Sequence, residues 1–212
     1  MPLLLKDLLM KLYEYGRSRS TRCHWILAEL GLEYESVSVD LVQGEQHKPA
    51  FLALNPYGKV PVLVDGDTVV TESAAICTWL AERHADGQLI PPAGTAQRAH
   101  YYQWTFFCMA ELEPFLWSIR RHMLIYPREK RSLAAIRLAR AEYTANLACL
   151  AQHIEAHGHV PGPAFSAADI IIAYNLLWAQ SLRLLDEYPV LGDYLLRLRR
   201  RPAFPRHIYD DD

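Results

Sequence analysis

Two hydroxyls, Ser18 and Ser20, stand in the run Gly16-Arg17-Ser18-Arg19-Ser20-Thr21-Arg22, which joins a short strand pattern to a helix pattern. Free backbone amides and the dipole at such a helix origin stabilise an anion, so a thiolate, carboxylate or phosphate can be held there without bulk positive charge. The same residues also suit ordinary helix capping. A second run, Asn55-Pro56-Tyr57-Gly58-Lys59-Val60-Pro61-Val62-Leu63, puts Pro61 at the entrance to a strand, where it removes a ladder donor. A cis Val60-Pro61 bond accounts for a proline in that place. It turns the Val60 N–H and carbonyl outward, free to pair with an extended peptide as an added strand. A third run, Thr71-Glu72-Ser73-Ala74-Ala75-Ile76, sets a carboxylate and a hydroxyl at another helix origin, where capping is again the plainer role.

The elements that must position these groups follow from periodicity. Lys11 to Tyr15 is a short strand, and Cys23, Ile26, Leu27 and Leu30 recur at helical spacing until Gly31 supplies a stop. Tyr34 to Val39 alternates as a strand does. Pro61 to Val64 and Thr68 to Val70 flank Asp65-Gly66-Asp67 as a hairpin, and Ser73 to Arg83 carries Ile76, Trp79 and Leu80 on one helical stripe. The order is strand, helix, strand, short helix, hairpin, helix: an α/β half spanning 10–88. Pro91-Pro92-Ala93-Gly94 marks a join, 89–94, to an all-helical half spanning 95–212. There Tyr101, Trp104, Cys108, Leu112 and Phe115 define one long helix, and Ile136, Tyr143, Leu147, Leu150 and Ile154 a second. Ser166-Ala167-Ala168-Asp169 reads as a capping box before a helix that is apolar nearly all round, hence central in a bundle. Tyr188 to Arg199 adds a last amphipathic helix, and residues 1–9 are an extension before the first strand.

The whole chain has 212 residues, 51% of them apolar, with 22 Lys+Arg against 24 Asp+Glu. That suffices for real cores and carries no basic excess for nucleic acid. The stretch Arg197-Leu198-Arg199-Arg200-Arg201 fits the solvated side of an amphipathic helix. No apolar run approaches the roughly 20 residues that span a bilayer, and the opening MPLLLKDLLM lacks the marks of a signal peptide. The four cysteines Cys23, Cys77, Cys108 and Cys149 have no paired spacing, which suits a reducing compartment, so the expected localisation is cytoplasmic. His153, His157 and His159 include an i, i+4 pair but lack further ligands, so no metal is expected.

Three features taken together, Gly58-Lys59-Val60-Pro61, Glu72-Ser73-Ala74-Ala75-Ile76 and the Ser166 to Asp169 cap, give a chain that resembles the glutathione S-transferase family, most closely its serine-type classes. The resemblance implies a thioredoxin-like amino-terminal domain of order βαβαββα followed by an all-helical bundle. It implies that Pro61 is cis, that Val60 pairs with the cysteinyl unit of glutathione, and that Glu72 and Ser73 hold the γ-glutamyl amine and carboxylate. For the glycine end it offers Lys59 and, with a one-residue slip, Gln46, His47 or Lys48. It gives Ser18 as the hydroxyl that donates to the glutathione sulfur, with Ser20 the competing choice. Tyr13 and Tyr15 lie in the strand, and Cys23 falls on the buried face.

By the same resemblance glutathione is the co-substrate and a small apolar electrophile the second partner, held by a subset of Tyr101, Trp104, Phe107, Cys108, Glu111, Phe115 and Trp117. Tyr57 resembles the aromatic residue that keys into a partner subunit, so a homodimer is expected. The activity implied is conjugation of the ionised thiol, a detoxifying transferase. The alternatives are a glutathione-dependent isomerase, dehalogenase or disulfide reductase, or a ligand-binding protein without catalysis.

Overall fold

A computed structural model describes residues 10–209 of the chain. The expectations placed on residues 1–9, the extension and the missing signal peptide, lie outside the described residues. By its internal contacts the chain divides into two units: residues up to Gln88 together with those from Pro202 onward, and Leu89–Arg201.

In the first unit the order is β1 (Lys11–Glu14), α1 (Ser20–Leu30), β2 (Glu35–Ser38), a 3-10 turn (Glu45–His47), α2 (Pro49–Leu52), β3 (Val62–Asp65), β4 (Thr68–Thr71) and α3 (Ser73–His84). The strands form one mixed sheet in the order β2-β1-β3-β4. β1 runs parallel to β2 and antiparallel to β3, with Leu12 opposite Leu63, and β3 and β4 form the hairpin. This is the thioredoxin-like βαβαββα arrangement. Gly31 ends α1 in the left-handed conformation at φ 62°, a backbone region that an L side chain resists. α1 and α3 pack together. Val39, Phe51 and Val62 form a buried cluster, closed by Tyr13, Leu41, Leu54 and Val60.

Two boundaries differ from the sequence-based ones. Leu89 and Ile90, expected in a linker, are buried, and the Leu89 carbonyl accepts from the Ala167 N–H at 2.8 Å, so they belong to the second unit. The segment from Pro202, expected in the helical half, packs with the first unit. Its Phe204 meets Trp25 edge to face at 5.0 Å, the Ile208 carbonyl accepts from Arg17 Nε at 2.8 Å, and α9 (Arg206–Tyr209) closes it.

The second unit holds α4 (Ala96–Phe107), α5 (Glu113–Arg120), α6 (Leu133–His157), α7 (Ala167–Ser181) and α8 (Pro189–Arg199). The single helix read through Tyr101 and Phe115 is interrupted by a π turn at Cys108–Leu112, in which the Glu113 N–H reaches the Cys108 carbonyl. The wider turn stands just before Pro114, which has no N–H to give the carbonyl one turn back. The inward face continues through Leu112, Leu116 and Ile119, with Glu113 buried beside it, while Phe115 is only half-buried.

The capping box at the head of α7 is present as read, and its acid is the hub of the unit. Asp169, 0% exposed, accepts from the Ser166 and Val160 N–H groups at 2.7 and 3.0 Å and from the Tyr194 hydroxyl at 2.6 Å. Burial, with Asp169 beside it, pushes the Tyr194 hydroxyl well above its ordinary pKa, so it stays a donor. Removing the carboxylate strands these buried donors, each costing about 1 to 3 kcal/mol. Asp169→Ala is therefore expected to lower the unfolding free energy by at least ~3 kcal/mol in urea titrations. A loss below ~1 kcal/mol would contradict the role given to this side chain.

Candidate functional site

The turn that leads into α1 is built from its own hydroxyls. The Ser18 hydroxyl donates to Ser20 Oγ at 2.9 Å, and Ser18 Oγ accepts the Ser20 N–H at 3.1 Å. The Ser18 carbonyl takes the Thr21 N–H at 3.1 Å, so Ser18 is fixed at the helix origin by both backbone and side chain. Ser18 is half-buried, whereas Ser20 is 0% exposed, with its oxygen also taking the Tyr15 N–H at 3.4 Å. Of the two hydroxyls, Ser18 is the one that solvent reaches. Cys23 is buried beside Cys77, and burial raises its thiol well above the ordinary value, which suits an inert core residue.

α3 begins beside this turn. Glu72, its N-cap, is exposed and sits at φ 67° and ψ 116°, a conformation that a non-glycine residue rarely adopts. Such backbone costs on the order of 1–3 kcal/mol and clusters at ligand-binding positions. Ser73 follows at 1% exposure, the floor of the site rather than its wall. Its Oγ accepts from Nη1 of Arg22, a wholly buried arginine in the first turn of α1, at 3.0 Å. That bond ties the two helix origins together. In the sequence Arg22 served only to set the register that picks out Ser18; its bond to Ser73 was not foreseen.

The loop before β3 contributes a free peptide edge. Val60-Pro61 is cis. Among the described residues, neither the N–H nor the carbonyl of Val60 takes a backbone partner. Asn55, 3% exposed and likewise missed in the sequence, shapes the loop. Its Nδ2 donates to the Lys59 carbonyl at 2.7 Å and its Oδ1 accepts the Tyr57 N–H at 3.1 Å. Gly58, at φ +60°, lets the neighbouring turn approach: a Cβ there would meet the Gln46 carbonyl at 3.1 Å and His47 Nδ1 at 3.2 Å. Gln46 and His47 are thus brought against the Gly58 loop. Lys48 is paired at the surface, its Nζ 2.6 Å from Glu45 Oε1. The Lys48 ammonium, then the Asp40 N–H, hold the Glu45 carboxyl below its ordinary pKa. Lys59 is exposed beside Val60.

Of the residues read as an electrophile pocket, Tyr101, Trp104 and Cys108 are buried and Glu111 is exposed. Tyr101 and Cys108 are 0% exposed, and the Trp104 ring lies tilted against His153 at 4.4 Å. Their 3-and-4 spacing marks the inward face of a bundle helix. Glu111 is exposed, its carbonyl held by Asn146 Nδ2 at 2.7 Å. The aromatic surface that α4 leaves open is Phe106, stacked on Tyr102 at 6.2 Å. Among the described residues no group of three or more His, Cys, Asp or Glu side chains is arranged to hold a metal ion.

The comparisons agree with this geometry. Residues 9–82 match the family model described as the glutathione S-transferase N-terminal domain. A zeta-class glutathione S-transferase of Euphorbia esula is 41% identical over 106 residues, covering 50% of this chain and 47% of that protein. The chain thus spans about half the length of such curated relatives. Among solved structures, a glutathione transferase of Methylococcus capsulatus is 29% identical, with a TM-score of 0.83 over 95% of this chain and 98% of that one. A glutathione transferase of Phanerochaete chrysosporium, crystallised with oxidised glutathione, is similar in fold, at 24% identity and TM-score 0.88 over 98% and 97% of the two chains. With its mixed sheet and its paired helix origins, the segment from β1 to α3 is a glutathione S-transferase N-terminal domain, and the chain as a whole is similar to glutathione transferases.

Proposed function

We propose that this chain is a glutathione transferase that ionises the thiol of reduced glutathione and conjugates it to an apolar electrophile. The observation that carries the proposal is the joining of two helix origins, Ser18 on one and Ser73 on the other, through the Arg22 bridge of 3.0 Å. In this reading the Val60 edge pairs with the cysteinyl unit, and Glu72 and Ser73 receive the glutamyl amine and carboxylate. Lys59, His47 and Lys48 serve the glycine end, the Lys48 ammonium being shared with Glu45 at the surface.

The chemistry assigned to Ser18 is modest and sufficient. A free thiol of pKa about 8.5 is only a few per cent ionised at neutral pH, and lowering it by about two units takes about 2.7 kcal/mol. A charge-assisted hydrogen bond from Ser18 supplies about 1.5 to 3 kcal/mol, and the α1 terminus about 0.3 to 1. To donate to sulfur, the Ser18 proton leaves Ser20 Oγ, while the Ser20 N–H keeps the oxygen in place. The thiol proton passes to water, and the thiolate forms a carbon–sulfur bond with the electrophile in one of two ways. It displaces a leaving group, which departs as an anion with its bonding pair, or it adds to an activated double bond, whose other end then takes a proton from water. Ionisation raises the thiolate fraction by only about 25-fold, so further acceleration comes from holding the electrophile beside the sulfur.

We read the active form as a homodimer, on the strength of Tyr57, which is 79% exposed beside Gly58. We place its work in the cytoplasm, as a detoxifying enzyme. No described helix is long and apolar enough to cross a membrane, and Cys23, Cys77, Cys108 and Cys149 are all free thiols.

Three measurements check these roles. Glu72→Ala should weaken glutathione binding by about 10- to 150-fold in calorimetry, the loss of one charge-assisted contact; an unchanged affinity would remove Glu72 from the site. In Ser18→Ala the bound thiol should titrate about one to two units higher by thiolate absorbance while affinity stays nearly constant. An unshifted titration would transfer the role to another donor. Tyr57→Ala should move the protein from dimer toward monomer in sedimentation equilibrium, and a dimer of undiminished strength would show that Tyr57 is an ordinary loop residue.

A further inference from the structure

We infer that Arg22 is a positioning residue for the glutamyl carboxylate of glutathione, acting through Ser73. The inference deepens the proposed function and rests on it. Arg22 is 0% exposed and lies in the first turn of α1. Its guanidinium donates to Ser73 Oγ at 3.0 Å, and its carbonyl faces the Cys77 thiol of α3 at 3.6 Å. Side chain and backbone of one residue therefore both engage α3.

The direction of the first bond matters. A guanidinium has donors and no acceptor, so Ser73 Oγ can only accept from it. A serine hydroxyl has one proton and two lone pairs. With one lone pair committed to Arg22, the Ser73 proton has no use in that bond and is left to donate. Serines at helix starts otherwise turn that proton to nearby backbone oxygens. A carboxylate, which only accepts, is the matching partner for a hydroxyl polarised in this way. Because Arg22 is wholly buried, its guanidinium is confined to this arrangement, and Ser73 is preset as a donor before ligand arrives. Arg22 does not itself touch the ligand; it fixes which way Ser73 bonds.

The test compares glutathione with 4-aminobutyryl-cysteinyl-glycine, the same tripeptide without the glutamyl α-carboxylate. The ratio of their dissociation constants is measured by calorimetry on the full chain. In the unaltered protein the ratio should be about tenfold or more in favour of glutathione. Ser73→Ala and Arg22→Met should each bring it down to about threefold or less, and Arg22→Lys, which keeps a donor cation, should stand between. Combining Ser73→Ala with Arg22→Met should lower the ratio no further, because the two residues act in series. A folded Arg22→Met that keeps the original ratio, or additive losses in the double variant, overturns the inference.

Should Arg22→Met fail to fold, the unaltered protein decides. The side-chain nitrogen resonance of Arg22 should shift on adding glutathione and stay in place with the analogue; a resonance that moves equally with both, or with neither, overturns it. If the unaltered protein binds the two tripeptides equally, the role of Arg22 falls while glutathione binding stands. If it binds neither, the proposed function itself falls.

Discussion

Two helices of the first unit begin side by side, and the buried bond between Arg22 and Ser73 holds their origins in register. Each origin presents the positive end of a helix dipole, and the first amides of α1 are turned onto Ser18 and Arg19. In the proposed reading they form an anion-binding floor in a chain whose formal net charge is -2, so that a ligand carrying carboxylates and a thiolate would be held without a basic excess. Local dipoles act within a turn of the helix, while net charge governs only long-range attraction. The positive φ of Glu72 belongs to the same constraint. The chain must leave β4 and enter α3 abruptly if Ser73 is to face α1, and Glu72 absorbs the bend.

The peptide edge at Val60 is held by a different device. Asn55 gathers the Lys59 carbonyl inward and Gly58 gives the turn around Gln46 and His47 room to approach, so Val60 is left with its polar groups available. In the proposed reading, hydrogen bonding from an extended peptide would supply affinity along the backbone and the helix origins selectivity for charge. The second unit is organised around another buried polar centre, Asp169, which cross-links the head of α7 to Tyr194 of α8.

Much of this was legible in the sequence because its signals are local. Gly31, the Asp65-Gly66-Asp67 turn and the Ser166 to Asp169 box announce a helix stop, a hairpin and a helix start through chemistry confined to a few residues. Arg22 was opaque, since arginine is rarely wholly buried and only the tertiary approach of Ser73 gives it a partner. The same spacing rule that located the helices could not choose a pocket subset at Tyr101, Trp104 and Cys108: a 3-and-4 stripe marks what a helix buries, whatever it is buried against. Beyond Leu112 the stripe continues through Leu116 and Ile119 rather than Phe115, and the π turn before Pro114 adds Glu113 to the buried side. The segment after Arg201 was misassigned because its partners, Trp25 and Arg17, lie far away in sequence.

The claim on which the account turns is that this floor holds glutathione with its sulfur ionised. Calorimetry of glutathione binding at pH 7, repeated in buffers of different ionisation enthalpy, counts the protons released on binding. A thiol lowered from about 8.5 to about 6.5 releases roughly 0.7 proton per site. That value is the expected result; binding without proton release, or no saturable binding at all, would contradict it.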